Sequence, residues 1–283
     1  MQPTGLLTFF QRIIHLRRTE ASFESPRYLL KWLFISTSIG LVAGVGAIVF
    51  FLAIQFSTHL LLGKLVGYLP PDPAGEGTMG VMSLWAAARP WLLPIITTLG
   101  GLVSGIIVFT LAPEAEGHGT DAAIAAFHQG KPIRARIPLV KLVASAITIG
   151  SGGSGGREGP AAQISAGFGS LLGTLLHLDT QDRRIAIATG IGSGIGAIFR
   201  APLGGAVLAA EILYKHDLEV EAVIPALIAS IIGYSIFGGL VRLESDFRHQ
   251  QQPRLYLPTT VVLLCRARSA LRADRTALCT RFL

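Results

Sequence analysis

The sequence predicts an all-α, polytopic membrane protein built in part from discontinuous, tilted helices, and three observations carry that prediction. Of its 283 residues, 51% are hydrophobic and 14% are charged, against about 25% charged in ordinary soluble domains, and the mean hydropathy is +0.55. Two early runs are uncharged over lengths that cross a bilayer. Later apolar runs are shorter and broken by many of the 33 glycines and 15 prolines. Two cysteines exclude a disulfide framework. The net charge of +7 does not point to nucleic acid, because seven arginines against two aspartates between residues 246 and 283 place +5 of it in the C-terminal segment.

Residues 1–28 are polar, and Arg12, Arg17, Arg18 and Arg27 with nearby Lys31 give them a cationic flank. Such flanks stay in the cytoplasm, so a cell-membrane protein with a cytoplasmic N-terminal segment is expected. From Leu33 to Leu62 there is no Asp, Glu, Lys or Arg, a run longer than the about 20 residues that cross roughly 30 Å of hydrocarbon. A secretory signal would begin its apolar region sooner and be followed by small residues at a cleavage site. Pro70, Pro71, Pro73, Gly75 and Gly77 form a loop, and Trp91 to Ala112 is a second uncharged span. Its Gly100/Gly101 and Ser104/Gly105 patterns suit close helix contact.

Beyond Pro113 the apolar stretches are Leu139 to Gly150, Ala161 to Leu178, Ile185 to Phe199, Leu203 to Leu213 and the longer Ala222 to Val241. Glycine-rich breaks at membrane depth are tolerated only where the backbone is buried in protein or lines a polar cavity. A transport pathway therefore fits better than a receptor or an anchor. Broken helices place free N–H groups and positive dipole ends inside the membrane, where an anion can use them.

The sharpest break is Gly150 to Pro160, GSGGSGGREGP, followed at once by AAQISAGFGSLLGTLL. Pro160 suits the first helical position, which starts a helix about there and leaves Glu158 just outside it. A carboxylate in that place is held by the same backbone donors that would hold chloride. Glycines on both sides remove the Cβ atoms that would keep an ion from the backbone. Glu158 is thus either a group that competes with an anion or a cap for its helix. A soluble phosphate-binding enzyme is the remote alternative, but the string lacks the Gly-Lys-Ser/Thr ending of a phosphate loop.

Three strings occur in order: EGHGTDAAI at Glu116 to Ile124, GREGPAAQI at Gly156 to Ile164, and AIFRAPLGGAVLAAE at Ala197 to Glu211. Together they resemble the first half of the CLC family of chloride channels and chloride/proton antiporters, over roughly Tyr28 to Leu240. The resemblance implies that residues 29–244 form the first inverted repeat of a voltage-gated-channel-type transmembrane domain. It implies a homodimer, joined through late helices including Ala222 to Val241, with one chloride pathway per subunit. The partners it implies are chloride, with or without protons, and membrane lipid. Enzyme activity, cofactor, metal ion and nucleic acid are not expected. The family's gating glutamate falls on Glu158, and the anion contacts fall on His118, Gly119, Arg157, Glu158 and Gly159.

The chain departs from the family pattern at two places. Gly117, His118, Gly119, Thr120 and Asp121 stand where the family has Gly-Ser-Gly-Ile-Pro. His118 either replaces the serine hydroxyl with a ring N–H of pH-dependent charge or leaves the anion to backbone amides. Asp121 is expected to serve the N–H groups of its own helix or to complement its dipole. The inner glutamate of the family's antiporters falls on Ile212, and Glu211 beside it points about 100° away. Glu211 is then a candidate for a proton pathway or pairs with Arg200, so channel and antiporter are both allowed. Arg157 attracts anions or makes a structural ion pair. Lys131, Arg134, Arg136 and Lys141 read as a solvated cytoplasmic face, and Asp179 and Asp182 as acids at the next helix start.

The resemblance stops near Glu244. Residues 245–283 form a divergent basic tail that holds Cys265 and Cys279 and no glycine. The Gly-X-Phe-X-Pro motif and tyrosine of the family's second half do not follow Leu240, and the tail is expected to be out-of-frame translation or another aberrant end. Its other reading is a basic tail lying on anionic lipid. Half of an anion site does not enclose chloride by itself, so the alternative function is a truncated, non-conducting fragment or assembly module.

Overall fold

A computed structural model describes residues 26–68, 70, 88–215 and 217–240, all within one unit comprising residues 1–71 and 80–242. The divergent tail, both cysteines and nearly all of the N-terminal segment lie outside the described residues. Among the described residues there is no strand.

Helix α1 (Pro26–Thr58) continues as a π-helical segment, His59–Val66. Tyr28, Trp32, Ile35, Ile39, Ala43, Ala47 and Phe50 are all buried on one stripe, at the three- and four-residue spacing that puts side chains on one helix face. The opposite face carries exposed Leu29, Leu33, Val45, Val49, Leu52 and Phe56. A helix apolar all round belongs in a core or a membrane. Gly67 ends the segment at φ +74°, its N–H returning to the Gly63 carbonyl and the Tyr68 N–H to the Leu62 carbonyl.

After α2 (Leu92–Leu111) and a short 3₁₀ turn, Pro113–Ala115, come α3 (Thr120–Gln129), α4 (Arg136–Gly150), α5 (Glu158–Leu175), α6 (Thr180–Ile198), α7 (Pro202–Glu211) and α8 (Val220–Leu240). Among the described residues three helices are long and apolar enough to span: Tyr28–Val66, Leu92–Leu111 and Val220–Gly239. At about 1.5 Å per residue, the 10-residue α3 and α7 and the 15-residue α4 are too short to cross roughly 30 Å of hydrocarbon. The broken pattern expected beyond Pro113 is present.

Every residue from Ile185 to Ile198 of α6 is buried, with α1, α5, α7 and α8 packed around it. Small residues make this possible. A Cβ on Gly190 would lie 2.3 Å from the Ser165 carbonyl oxygen, and one on Gly196 would lie 1.8 Å from Ser230 Oγ. Helices that gain little from apolar burial in lipid rely on such close approach. The start of α6 is capped by Asp179, whose carboxylate accepts the Asp182 N–H at 2.8 Å. Asp182 itself forms a buried ion pair with Lys31, tying α6 to α1.

The small-residue patterns of α2 divide by face. Gly100 and Ser104 are buried, and Ser104 Oγ donates to the Ala144 carbonyl of α4 at 3.0 Å. Gly101 and Gly105 meet nothing within 4 Å and border a cavity instead.

Candidate functional site

Two glycine-rich breaks separated by about forty residues meet at one place. The loop before α3 crosses the start of α5 so closely that a Cβ on Gly159 would lie 2.3 Å from the His118 carbonyl oxygen and 2.5 Å from His118 Nδ1. The fit is mutual. A Cβ on Gly119 would lie 2.8 Å from the Gly159 carbonyl oxygen, and Gly119 has φ +109°, which side chains rarely adopt. Gly119 caps α3, while Gly159 is the second residue of α5, so the N-terminal ends of two short helices converge. Each such end offers unpaired N–H groups and about half a positive charge.

Helix α5 begins at Glu158, two residues earlier than expected, with half-buried Arg157 at its N-cap. Pro160 is the third helical residue, and its lack of an N–H is harmless because the first four N–H groups of a helix have no partner inside it. Glu158 therefore sits in the first turn. Its half-buried side chain folds back over Gly156, where an added Cβ would meet Glu158 Oε2 at 1.9 Å. Its carboxylate makes no hydrogen bond or ion pair among the described residues.

A cavity of about 370 Å³ opens beside this junction. Glu116, Gly117 and His118 line it from the loop, Lys141 from α4, and Gly155, Gly156 and Pro160 from the α5 side. The Glu158 carboxylate lies behind Gly156 rather than on the cavity wall. His118 is exposed to the cavity, and its Nδ1 is 2.9 Å from Thr120 Oγ1.

Lys141 corrects the sequence reading. Lys131, Arg134 and Arg136 are exposed, with Arg134 paired to Glu114, but Lys141 is 4% exposed. Its Nζ donates to the carbonyls of Ala115 at 2.9 Å and Gly117 at 2.7 Å. The loop solvates the ammonium group in place of water, and the ammonium group in turn fixes the loop. Asp121 is exposed in the first turn of α3 and makes no cap hydrogen bond there, which leaves the expected complement to the helix dipole. Glu211 is exposed at the end of α7, and its carboxylate pairs with no cation, Arg200 included, among the described residues.

Gln163 was not singled out from the sequence. It is 2% exposed, and its Nε2 donates to the Glu114 carbonyl at 2.9 Å, joining α5 to the 3₁₀ turn. A lone polar residue inside an apolar run is the signal that marks both Gln163 and Lys141. Among the described residues no group of three or more His, Cys, Asp or Glu side chains is arranged to hold a metal ion.

The sequence profile described as voltage gated chloride channel matches residues 100–265, more than half of the chain. An uncharacterized protein of Methanocaldococcus jannaschii, MJ0305, is 31% identical over 211 residues, covering 74% of this chain and 44% of that protein. The H(+)/Cl(−) exchange transporter ClcA of Salmonella typhimurium is 28% identical over 246 residues, 83% of this chain and 49% of that protein. The chain thus spans about half the length of the curated relatives it matches. The solved structure of a slow cyanobacterial Cl−/H+ antiporter superposes with a TM-score of 0.58 at 22% identity, over 76% of this chain and 47% of that one. A CLC-type fluoride/proton antiporter superposes with a TM-score of 0.54 at 20% identity, over 78% and 46%. These two likenesses concern the fold, which is that of a multi-pass membrane protein with broken helices. With its profile match, its ordered motifs and its architecture in agreement, the chain belongs to the voltage-gated chloride channel family, CLC.

Proposed function

We propose that this chain supplies one half of a chloride pathway in which Glu158 is the gate, working either as a passive conductor or in exchange for protons. The observation that supports it most is the contact between His118–Gly119 and Gly159, which brings two positive helix ends and the Glu158 carboxylate to one junction. An ionised Glu158 competes with chloride for those unpaired amides. Protonation removes its charge and frees the amides for the anion. His118, Gly119, Arg157 and Gly159 would contact the ion, and Glu211 would lie on the proton route if exchange occurs. A homodimer joined through α8 and a cytoplasmic N-terminus complete this reading.

Chloride flux from vesicles containing the purified chain tests it. Flux in the parent is expected to rise as pH falls, and Glu158→Gln is expected to flatten that dependence. A Glu158→Gln profile identical to the parent's would overturn the gating role. The second reading, an assembly module that does not conduct alone, expects no flux from either form. Proton flux measured alongside chloride separates exchange from conduction.

A further inference from the structure

His118 presents its Nδ1–Cε1 edge to Gly159, where an added Cβ would meet those atoms at 2.5 and 2.6 Å. Nδ1 is occupied by Thr120 Oγ1 at 2.9 Å. Nε2 is the ring's other polar atom, and it bonds to nothing among the described residues. A threonine hydroxyl both donates and accepts. When Oγ1–H donates to Nδ1, the neutral ring must carry its proton on Nε2. When the ring takes a second proton, the hydroxyl turns and accepts from Nδ1–H, and Nε2–H is unchanged.

We infer that Thr120 and His118 form a proton-responsive donor for the anion: Thr120 is a positioning residue that keeps His118 Nε2–H available to a halide, and protonation of the ring tightens binding separately from Glu158. The inference rests on the reading that this cavity carries an anion. Charged residues of four elements stand around this junction. Glu116, in its own loop, and Lys141 of α4 line the same cavity. Arg157 and Glu158 stand at the start of α5, and Asp121 in the first turn of α3. Lys141 is held by two loop carbonyls, and burial lowers the pKa of its ammonium group to about 8, so it gives up charge at the alkaline end with the same sign as the histidine. Glu116 and Glu158 oppose an anion while ionised and stop doing so at acid pH, the same sign as the histidine. They must be neutralised before the ring can be read.

The test is calorimetric titration of chloride into the full chain in detergent, with both acids changed (Glu116→Gln, Glu158→Gln), between about pH 5 and 7, where imidazole changes charge and Lys141 keeps its charge. Affinity is expected to rise about tenfold on acidification, the size of a modest coupling between two bound ligands. His118→Phe in that background is expected to remove the rise. Thr120→Val is expected to weaken chloride about three- to tenfold at pH 7, the worth of one positioned hydrogen bond, and to leave the affinity at pH 5 nearly unchanged. Thr120→Ser is expected to restore the parent profile. Imidazole nitrogen NMR should report the Nε2–H tautomer in the parent and a mixture in Thr120→Val, a change that a merely structural threonine would not produce. A pH slope that survives His118→Phe, or a Thr120→Val profile matching the parent's, would overturn the inference while leaving the Glu158 reading intact. A parent chain that binds no chloride at any pH would overturn both.

Discussion

Replacing Gly159 with alanine asks whether the two breaks really meet. The added methyl would lie 2.3 Å from the His118 carbonyl oxygen, 2.5 Å from Nδ1 and 2.6 Å from Cε1. Non-bonded atoms settle at about 3.5–4.0 Å, so one side must retreat by roughly 1 Å. The loop is poorly able to do so, because Lys141 holds it through Ala115 and Gly117 at 2.9 and 2.7 Å. Overpacking of this kind costs about 1–3 kcal/mol. Against it stands the gain from alanine over glycine inside a helix, about 0.8–1.0 kcal/mol. The strain wins by up to about 2 kcal/mol in stability. Moving a donor by roughly 1 Å also forfeits most of a charge-assisted hydrogen bond worth about 1.5–3 kcal/mol, or about ten- to a hundredfold in chloride affinity.

The assay pairs detergent unfolding with chloride titration for Gly159→Ala and a matched control. Gly155 lies in the same string, but a Cβ there meets nothing within 4 Å. Gly155→Ala should stay within about 0.5 kcal/mol of the parent. A Gly159→Ala chain that is more stable than the parent by the full helix gain, with unaltered chloride affinity, would refute the contact on which the site is built.

Two further predictions concern the scaffold. Lys31 and Asp182 are 1% and 4% exposed and pair across α1 and α6, so Lys31→Met should destabilise by about 3–5 kcal/mol by leaving a buried carboxylate with a lost partner. Adding Asp182→Leu should recover most of that loss in a double-mutant cycle; simple additivity would mean the pair is not coupled. Tyr214, in the turn after α7, has its phenol pushed above the ordinary value by burial and by donating to Glu219 Oε2 at 2.8 Å. Because the folded value is the raised one, that stabilisation is full below about pH 10 and is lost as pH rises through the folded value. Tyr214→Phe should shrink the alkaline loss of stability, and an unchanged alkaline limb would show that another group controls it.

The spans were legible because a charge is costly in hydrocarbon, and the uncharged run from Leu33 to Leu62 could hardly be anything else. The place of Glu158 at a helix start was legible because glycine, acid and proline adjoin in the chain. Its helix began two residues early because a proline tolerates any of the orphan positions of a first turn, not only the first. Lys141 was misread because counting charges along the chain cannot show that two carbonyls from residues 115 and 117 fold over the ammonium group. Gln163 and Thr120 escaped notice for different reasons. The first acts across 49 residues of sequence. The second, only two residues from its ring, matters only because that ring faces a cavity.

The junction carries an electrostatic problem whose solution suits an anion pathway. Helices α3 and α5 bring their N-terminal ends into backbone contact at Gly119 and Gly159, and each end carries about half a positive charge. The Lys141 ammonium group adds to it beneath the loop. Like charges held this close repel, and within a low-dielectric surround the repulsion is weakly screened. Glycine packing and the Gln163 and Lys141 hydrogen bonds hold the ends together, while the carboxylates of Glu158 and Glu116 stand nearby to balance the charge. Any step that removes the Glu158 charge, by protonation or by swinging the side chain away, leaves an excess of positive potential that a halide entering the cavity can neutralise. On the proposed reading, the tight glycine contacts fix where the positive potential is, and the Glu158 carboxylate decides when it is open to an anion.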